Sequence, residues 1–335
     1  MAGERVGTTS GAVNFRDGPG FTFNIMSVLP PGVQVSILGE QGDWFEVAVG
    51  GQHGFLNHAY VHEWLKDQAD LQAAALAPGD PKLDAGVAAQ RMLADIWNSY
   101  GGLLGRLAAQ ISIDPAVAVA VCATEAGGDG FGPDGRMIIR FENHIFWSQW
   151  GKSHPDQFNA RFKFDPDAQW QGHQYRPAPD ADWQRSHASQ ASEWDALRVA
   201  QEMDAEAARK SISMGLPQIM GFNYASIGYP SVDDMFDRFS ADVRNQLLAL
   251  FDFIHSHAAL TQALQQGDFL AFARGYNGGG QAETYNNILG NYMSLFATLP
   301  DATAGGVRGL GGRVIFPEAL PLIERVGAAG GAPGG

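Results

Sequence analysis

Two periods of hydrophobicity divide the chain. From residue 4 to about 64, apolar and polar positions alternate in the short runs GAVNFRDGPG, NIMSVLPPG, VQVSILGEQG, DWFEVAVGG and QHGFLNHAYV, most of them closed by Gly or Pro. A period of two marks half-buried strands, and Asp17-Gly18-Pro19-Gly20 is a dense turn signal. Five such runs within about sixty residues predict a small β-barrel. Residues 67–86, DQADLQAAALAPGDPKLDAG, follow neither period and read as a linker with room for a short helix. From Val87 to Leu299 the apolar spacing becomes three and four, as in VAAQRMLADIWNSY, DVRNQLLALFDFIHSH and LTQALQQGDFLAFARGY, which predicts helices. The stretch after residue 300 is Gly-rich and is expected to be a tail without chemistry.

One helix stands out. Asp114 is placed to cap it, Pro115 takes its first position, and Ala116 to Ala123 are all small or apolar. Such a helix has no polar face, so it is expected to be buried on most sides, with Gly127-Gly128 ending it. Glu125 then falls in its last turn. Desolvation and the negative end of the helix both disfavour the carboxylate, and each pKa unit corresponds to ~1.4 kcal/mol. A carboxyl held protonated near neutral pH is what protonation of a glycosidic oxygen requires. The same position also suits a plain helix-end residue facing water. Two further passages, SISMGLPQIMGFNY and FARGYNGGG, supply the neutral hydrogen-bonding groups Ser213, Gln218, Tyr276 and Asn277, suited to sugar hydroxyls and acetamido groups.

Composition narrows the function classes. The net charge of −14 argues against nucleic acid as a partner, since phosphate binding needs clustered Lys and Arg. No segment reaches the ~20 apolar residues of a membrane span, so no membrane insertion is expected. The lone Cys122 excludes an intramolecular disulfide and reads as a buried, inert thiol. His144, His154 and His173 are scattered, and His58 and His62 lie in the strand-rich segment. No metal and no other cofactor are therefore expected. No G-x-S-x-G elbow occurs. The N-terminus lacks a charged-then-apolar leader, so the expectation is a protein made in the cytoplasm that reaches the periplasmic wall after release or export.

Two resemblances sharpen this. Val13-Asn14-Phe15-Arg16-Asp17-Gly18-Pro19, then Leu29, Gly32 and Val35, then Gly42, Trp44 and Val47, then Gly54-Phe55-Leu56 resemble the bacterial SH3-like wall-binding family. That resemblance implies that Trp44 and Phe45 either contact wall material or fill the barrel core. The ordered set Glu125, Gly215-Leu216-Pro217-Gln218 and Tyr276-Asn277-Gly278 resembles the goose-type lysozyme and soluble lytic transglycosylase superfamily. More narrowly, Glu125-Ala126-Gly127-Gly128, Arg140-Phe141-Glu142-Asn143-His144-Ile145-Phe146 and Ser211 to Gly221 are similar to the N-acetylmuramidase domain of phage endolysins. That likeness implies a monomeric peptidoglycan muramidase with Glu125 as its acid, Ser213, Gln218, Tyr276 and Asn277 lining the cleft, and the tyrosine bonded to the glutamate. Ala126 and Pro217 depart from the family's usual residues and bear on substrate contacts.

The expected architecture is multi-domain α+β: an SH3-like barrel over residues 1–66, a linker over 67–86, a helical lysozyme-like domain over 87–300 and a tail over 301–335. Glu142 is the first candidate for a second carboxylate, with Asp129 and Asp134 behind it, although Arg140 offers Glu142 a structural ion pair. Without a second carboxylate, the sugar's own 6-hydroxyl can attack and the enzyme is a lytic transglycosylase. The remaining alternative is a non-catalytic wall-binding or virion protein.

Overall fold

A computed structural model describes residues 5–79, 83, 88–126, 129–277 and 282–299. The first part is one antiparallel sheet of seven strands: β1 (Arg5–Thr9), β2 (Val13–Arg16), β3 (Ile25–Leu29), β4 (Gln34–Gln41), β5 (Trp44–Val49), β6 (Gln52–Asn57) and β7 (Val61–Glu63), in the order β3-β2-β6-β5-β4-β1-β7. Alternate residues Val13, Phe15, Val35, Ile37, Phe45, Val47 and Leu56 fill its interior, as a period of two requires. Five strands were expected. The additional pair, β1 and β7, join at Gly7↔Glu63 and carry too few apolar residues to register as alternation.

The chain leaves the barrel at Trp64 and passes through a short helix, α1 (Ala69–Gln72), before the helical part begins with α2 (Ala88–Gln110) and α3 (Pro115–Ala126). Then come β8 (Ile139–Phe141), α4 (Asn143–Gln149), α5 (Pro155–Arg161), β9 (Phe162–Lys163), β10 (Gln174–Tyr175), β11 (Gln184–Arg185), α6 (Gln190–Gln201), α7 (Ala205–Lys210), β12 (Ile212–Met214) and β13 (Ile219–Met220). The fold closes with α8 (Val232–Ala241), α9 (Val243–Ser256), α10 (Ala258–Gln266), α11 (Phe269–Asn277) and α12 (Ala282–Phe296). One apolar core joins α2, α3 and α9 to α12, and a second lies around β8, α4, α6 and α8.

Helical periodicity misses two features. The stretch from Ile139 to Met220 contains two small sheets, β13-β12-β8 and β11-β10-β9, whose strands are too short to show a period. The apolar stripe from Leu260 to Tyr276 is two helices, because the chain turns at Gly267 and Asp268 caps a new start, its Oδ1 accepting from Ala271 N at 2.9 Å.

Barrel and helices are tied by one buried carboxylate. Asp252 of α9 is fully buried; its oxygens accept from Leu65 N at 2.5 Å and Lys66 N at 3.1 Å. Beside it Trp64 packs on Gly228, whose φ of +73° and contact with the indole admit no side chain. Burial pushes the Asp252 carboxyl up to about 7, against the pull of Lys66 and the two backbone N–H donors. Its folded-state pKa thus lies above the unfolded value, so the folded chain holds a proton that the unfolded chain has lost. Stability from this group is present at acid pH and is lost as pH rises from about 4 to about 7. Relative to Asp252→Asn, the native chain should lose up to ~1.4 kcal/mol per pH unit across that window, read by urea unfolding at several pH values. Parallel curves would mean that the two N–H donors keep Asp252 ionised throughout.

Candidate active site

Helix α3 begins as its sequence dictates: the Asp114 side chain accepts from Ala116 N at 2.7 Å, with Pro115 next to it. Every residue from Ala116 to Ala123 is buried, packed against α2 and α12. The expected stop, Gly127-Gly128, lies outside the described residues. Glu125 in the last turn is 7% exposed, and the Tyr285 hydroxyl of α12 donates to its Oε1 at 2.5 Å. Burial also pushes the Cys122 thiol far up, with the charge of Glu125 adding to the shift, which leaves that sulfur unreactive.

Tyr285 has no place in the sequence reading. It sits in α12 beyond every motif, and helical spacing alone cannot say which residue faces α3. Tyr276 lies beside it, ring centroids 6.3 Å apart, stacked at 5.3 Å on Phe272. The tyrosines of α11 and α12 therefore form one wall next to Glu125. The side chain of Asn277 lies outside the described residues.

The turn from β12 to β13 carries the other candidate residues, Ser213 and Gln218. Gly215 has φ of +63°, and a Cβ there would stand 2.5 Å from Gln246 Cδ, so only glycine fits. Gln218 is held at φ +48°, unusual for a residue with a side chain. Its Nε2 donates to Gly215 O at 2.6 Å and its Oε1 accepts from Ser213 Oγ at 2.9 Å. The backbone is strained there and both ends of the amide are engaged. Gln246 of α9, fully buried, fixes the whole turn. Its Oε1 accepts from Leu216 N at 2.7 Å, while its Nε2 donates to Phe239 O at 2.8 Å and to Gly130 O at 3.4 Å. One side chain therefore joins the segment following α3 to the turn carrying Gln218. The sequence offered no sign of it.

The other candidate carboxylates separate by environment. Asp129 is exposed. Asp134 is exposed too, and the Arg136 guanidinium at 2.7 Å holds its carboxyl below the usual range. Glu142 is 3% exposed. Its Oε1 accepts from Arg140 Nε at 2.8 Å, and Arg140 stands opposite Ser213 across the β8–β12 pair. Its Oε2 faces His173 Nδ1 at 3.4 Å and His144 Nδ1 at 3.5 Å. In the barrel, Phe45 belongs to the core. Trp44 is also buried and borders a cavity of about 120 Å³ with Phe21, Tyr60, Asn14 and Asn57.

Removing the Gln246 side chain strands the Leu216 N–H and the Phe239 carbonyl in the interior. Gln246→Ala should cost about 2–4 kcal/mol in denaturant unfolding, and its wall-clearing rate should fall further than the folded fraction does. Unchanged stability would show that water replaces the staple.

Residues 114–296, more than half of the chain, match the N-acetylmuramidase family, and residues 11–62 match the bacterial SH3 domain family. No curated protein sequence matches the chain. Among solved structures, the crystal structure of Burkholderia AP3 phage endolysin is 28% identical, over 58% of this chain and 68% of that chain, with a TM-score of 0.47. The first match starts at the cap of α3 and ends with α12, so it takes in Glu125, Ser213, Gln218, Tyr276 and Tyr285. With an SH3 domain ahead of this catalytic part, the chain is a glycoside hydrolase of peptidoglycan and belongs to the N-acetylmuramidase family.

Proposed function

We propose that the chain cleaves the β-1,4 bond between N-acetylmuramic acid and N-acetylglucosamine, with Glu125 as the proton donor to the leaving oxygen. The observation that carries this is a carboxyl at the end of an apolar helix, 7% exposed, with one oxygen bonded by Tyr285. Burial favours the neutral acid, and the tyrosine hydroxyl fixes the direction in which the carboxyl points. Ser213, Gln218, Tyr276 and Asn277 are read as the cleft's neutral contacts to sugar hydroxyls and acetamido groups. Glu142 is left out of the chemistry, because Arg140 engages one oxygen and two imidazoles face the other. The SH3 domain is read as holding the enzyme on the wall, with Phe21, Trp44 and Tyr60 as its aromatic contacts.

Clearing of purified peptidoglycan by the native chain and by Glu125→Gln tests the assignment. The substitution should lower the rate by about 10³-fold or more while leaving wall binding intact, since a general acid contributes roughly 10²–10⁴-fold. Equal clearing by both would mean a different acid. Mass spectrometry of the soluble products then identifies the attacking group: reducible N-acetylmuramic acid ends for water, 1,6-anhydro ends for the sugar's own hydroxyl.

Tyr285→Phe gives an independent check. The hydroxyl donates to the carboxylate and so favours the ionised form of Glu125. Its loss should move the alkaline limb of the pH–rate profile to higher pH, with a smaller loss of rate than Glu125→Gln. An unmoved limb would separate Tyr285 from the acid's titration.

A further inference from the structure

Beside the sheet that carries Ser213 lies a buried group of side chains that the glycosidase chemistry does not use. Glu142 lies between β8 and α4, His144 stands in the first turn of α4, His173 precedes β10, and His187 lies in the 3-10 turn that follows β11. Glu142, His173 and His187 each bring one ligand atom within 4.8 Å of the other two. The separations are 2.9 Å between the two imidazole nitrogens and 3.4 Å from His173 Nδ1 to Glu142 Oε2. His144 Nδ1 stands 3.5 Å from the same oxygen.

The proton inventory of these atoms is short of donors. His173 Nε2 lies 2.8 Å from the Gln169 carbonyl, which can only accept, so the proton of a neutral His173 is on Nε2 and its Nδ1 carries a lone pair. That lone pair can accept from His187 Nε2 at 2.9 Å only if His187 carries protons on both nitrogens, because its Nδ1 is bonded to Glu193; Glu142 Oε2 and His144 Nδ1 have no hydrogen-bond partner among the described residues. Buried acceptors turned toward one another are unfavourable unless a positive charge stands between them.

The surroundings match those of a metal-ligating histidine cluster. His187 Nδ1 bonds Glu193 Oε1 at 2.8 Å, and Glu193 Oε2 is fixed by Phe141 N at 2.8 Å. The far nitrogen of His173 is held by a backbone carbonyl, and the far oxygen of Glu142 by Arg140. Each inward-facing atom thus has its opposite end oriented by a second group, which is how proteins set the tautomer and aim of metal ligands. Zinc–nitrogen bonds of about 2.0–2.1 Å in a tetrahedron put ligand atoms about 3.3–3.4 Å apart, as His173 Nδ1 and Glu142 Oε2 are, while the 2.9 Å between the two imidazole nitrogens is a hydrogen-bond distance that widens when an ion enters.

We propose that Glu142, His173 and His187 bind a divalent cation of the zinc class. Two imidazoles and a carboxylate favour zinc over magnesium or calcium, which prefer all-oxygen sets. These three ligands take no part in the glycosidase chemistry proposed above, so the ion is structural. It clamps β10 and the turn of residues 186–188 onto the N-terminus of α4, and Arg140 connects that clamp to the strand facing Ser213. The sequence expectation was no metal, because these ligands lack helical i, i+4 spacing and only the tertiary fold collects them.

The test uses untagged full-length protein, loaded with Zn²⁺, dialysed against metal-free buffer and measured by plasma mass spectrometry, with Co²⁺ substitution in parallel. Native protein should retain one zinc per chain and show the intense visible bands of tetrahedral cobalt. His173→Gln and His187→Gln should lose both signals, while His53→Gln, at an exposed barrel position, and Glu125→Gln keep them. Chelation should accelerate amide exchange across residues 173–188 in native protein and leave His187→Gln unchanged. His187 is partly exposed, so that variant serves if His173→Gln does not fold. Native protein without retained zinc or cobalt bands would overturn the proposal, and so would equal retention by the histidine variants. In the first case a hydrogen-bonded proton takes the ion's place.

Discussion

Glu125 sits at the end of a helix that has no polar side, and burial of its carboxyl sets the terms for the packing around it. A charge taken out of water must be neutralised, paired or hydrogen-bonded. Here one partner is a tyrosine from α12, the helix that packs directly on α3. The apolar length of α3 therefore has two consequences at once. It nucleates the larger core, and it delivers a partly desolvated acid to the edge of that core.

Helix α9 does related work with two polar side chains in an otherwise apolar interior. Gln246 accepts from the backbone of the Gly215–Gln218 turn and reaches Gly130 on the segment after α3. Asp252, further along the same helix, accepts from the backbone where the chain leaves the barrel. Both are fully buried. Each satisfies N–H groups of irregular backbone that no strand or helix could satisfy, so one helix registers the Gly215–Gln218 turn and the SH3 domain on a common frame.

The middle of the catalytic part shows a different way of holding irregular chain. The outer edge of β8 meets no strand among the described residues; Gln190 of α6 bonds both the N–H and the carbonyl of Ile139, and Glu193 takes the N–H of Phe141. Asn143 donates to the carbonyls of Lys163 and Gln174, fixing β9 and β10 from the start of α4. The Arg140-to-Phe146 motif is thus a joint. Its polar members hold the aromatic-rich insertion, in which Trp150 stacks on Phe146 and His154, and Trp183 lies under Lys163 and Arg176.

Much of this was legible in the residues themselves. Alternation marked the barrel, the Asp114-Pro115 start and the apolar run marked α3, and the ordered motifs pointed to Glu125, Ser213, Gln218 and Tyr276. These are local properties, because periodicity, capping and turn chemistry act over a few residues. Tyr285, Gln246, Asp252 and the Glu142–histidine cluster were not legible, since each acts across a large separation in sequence and none carries a local pattern. Only tertiary structure decides which side of α12 meets α3, or which histidines converge on one carboxylate, because packing of apolar faces sets those distances and a linear pattern does not contain them.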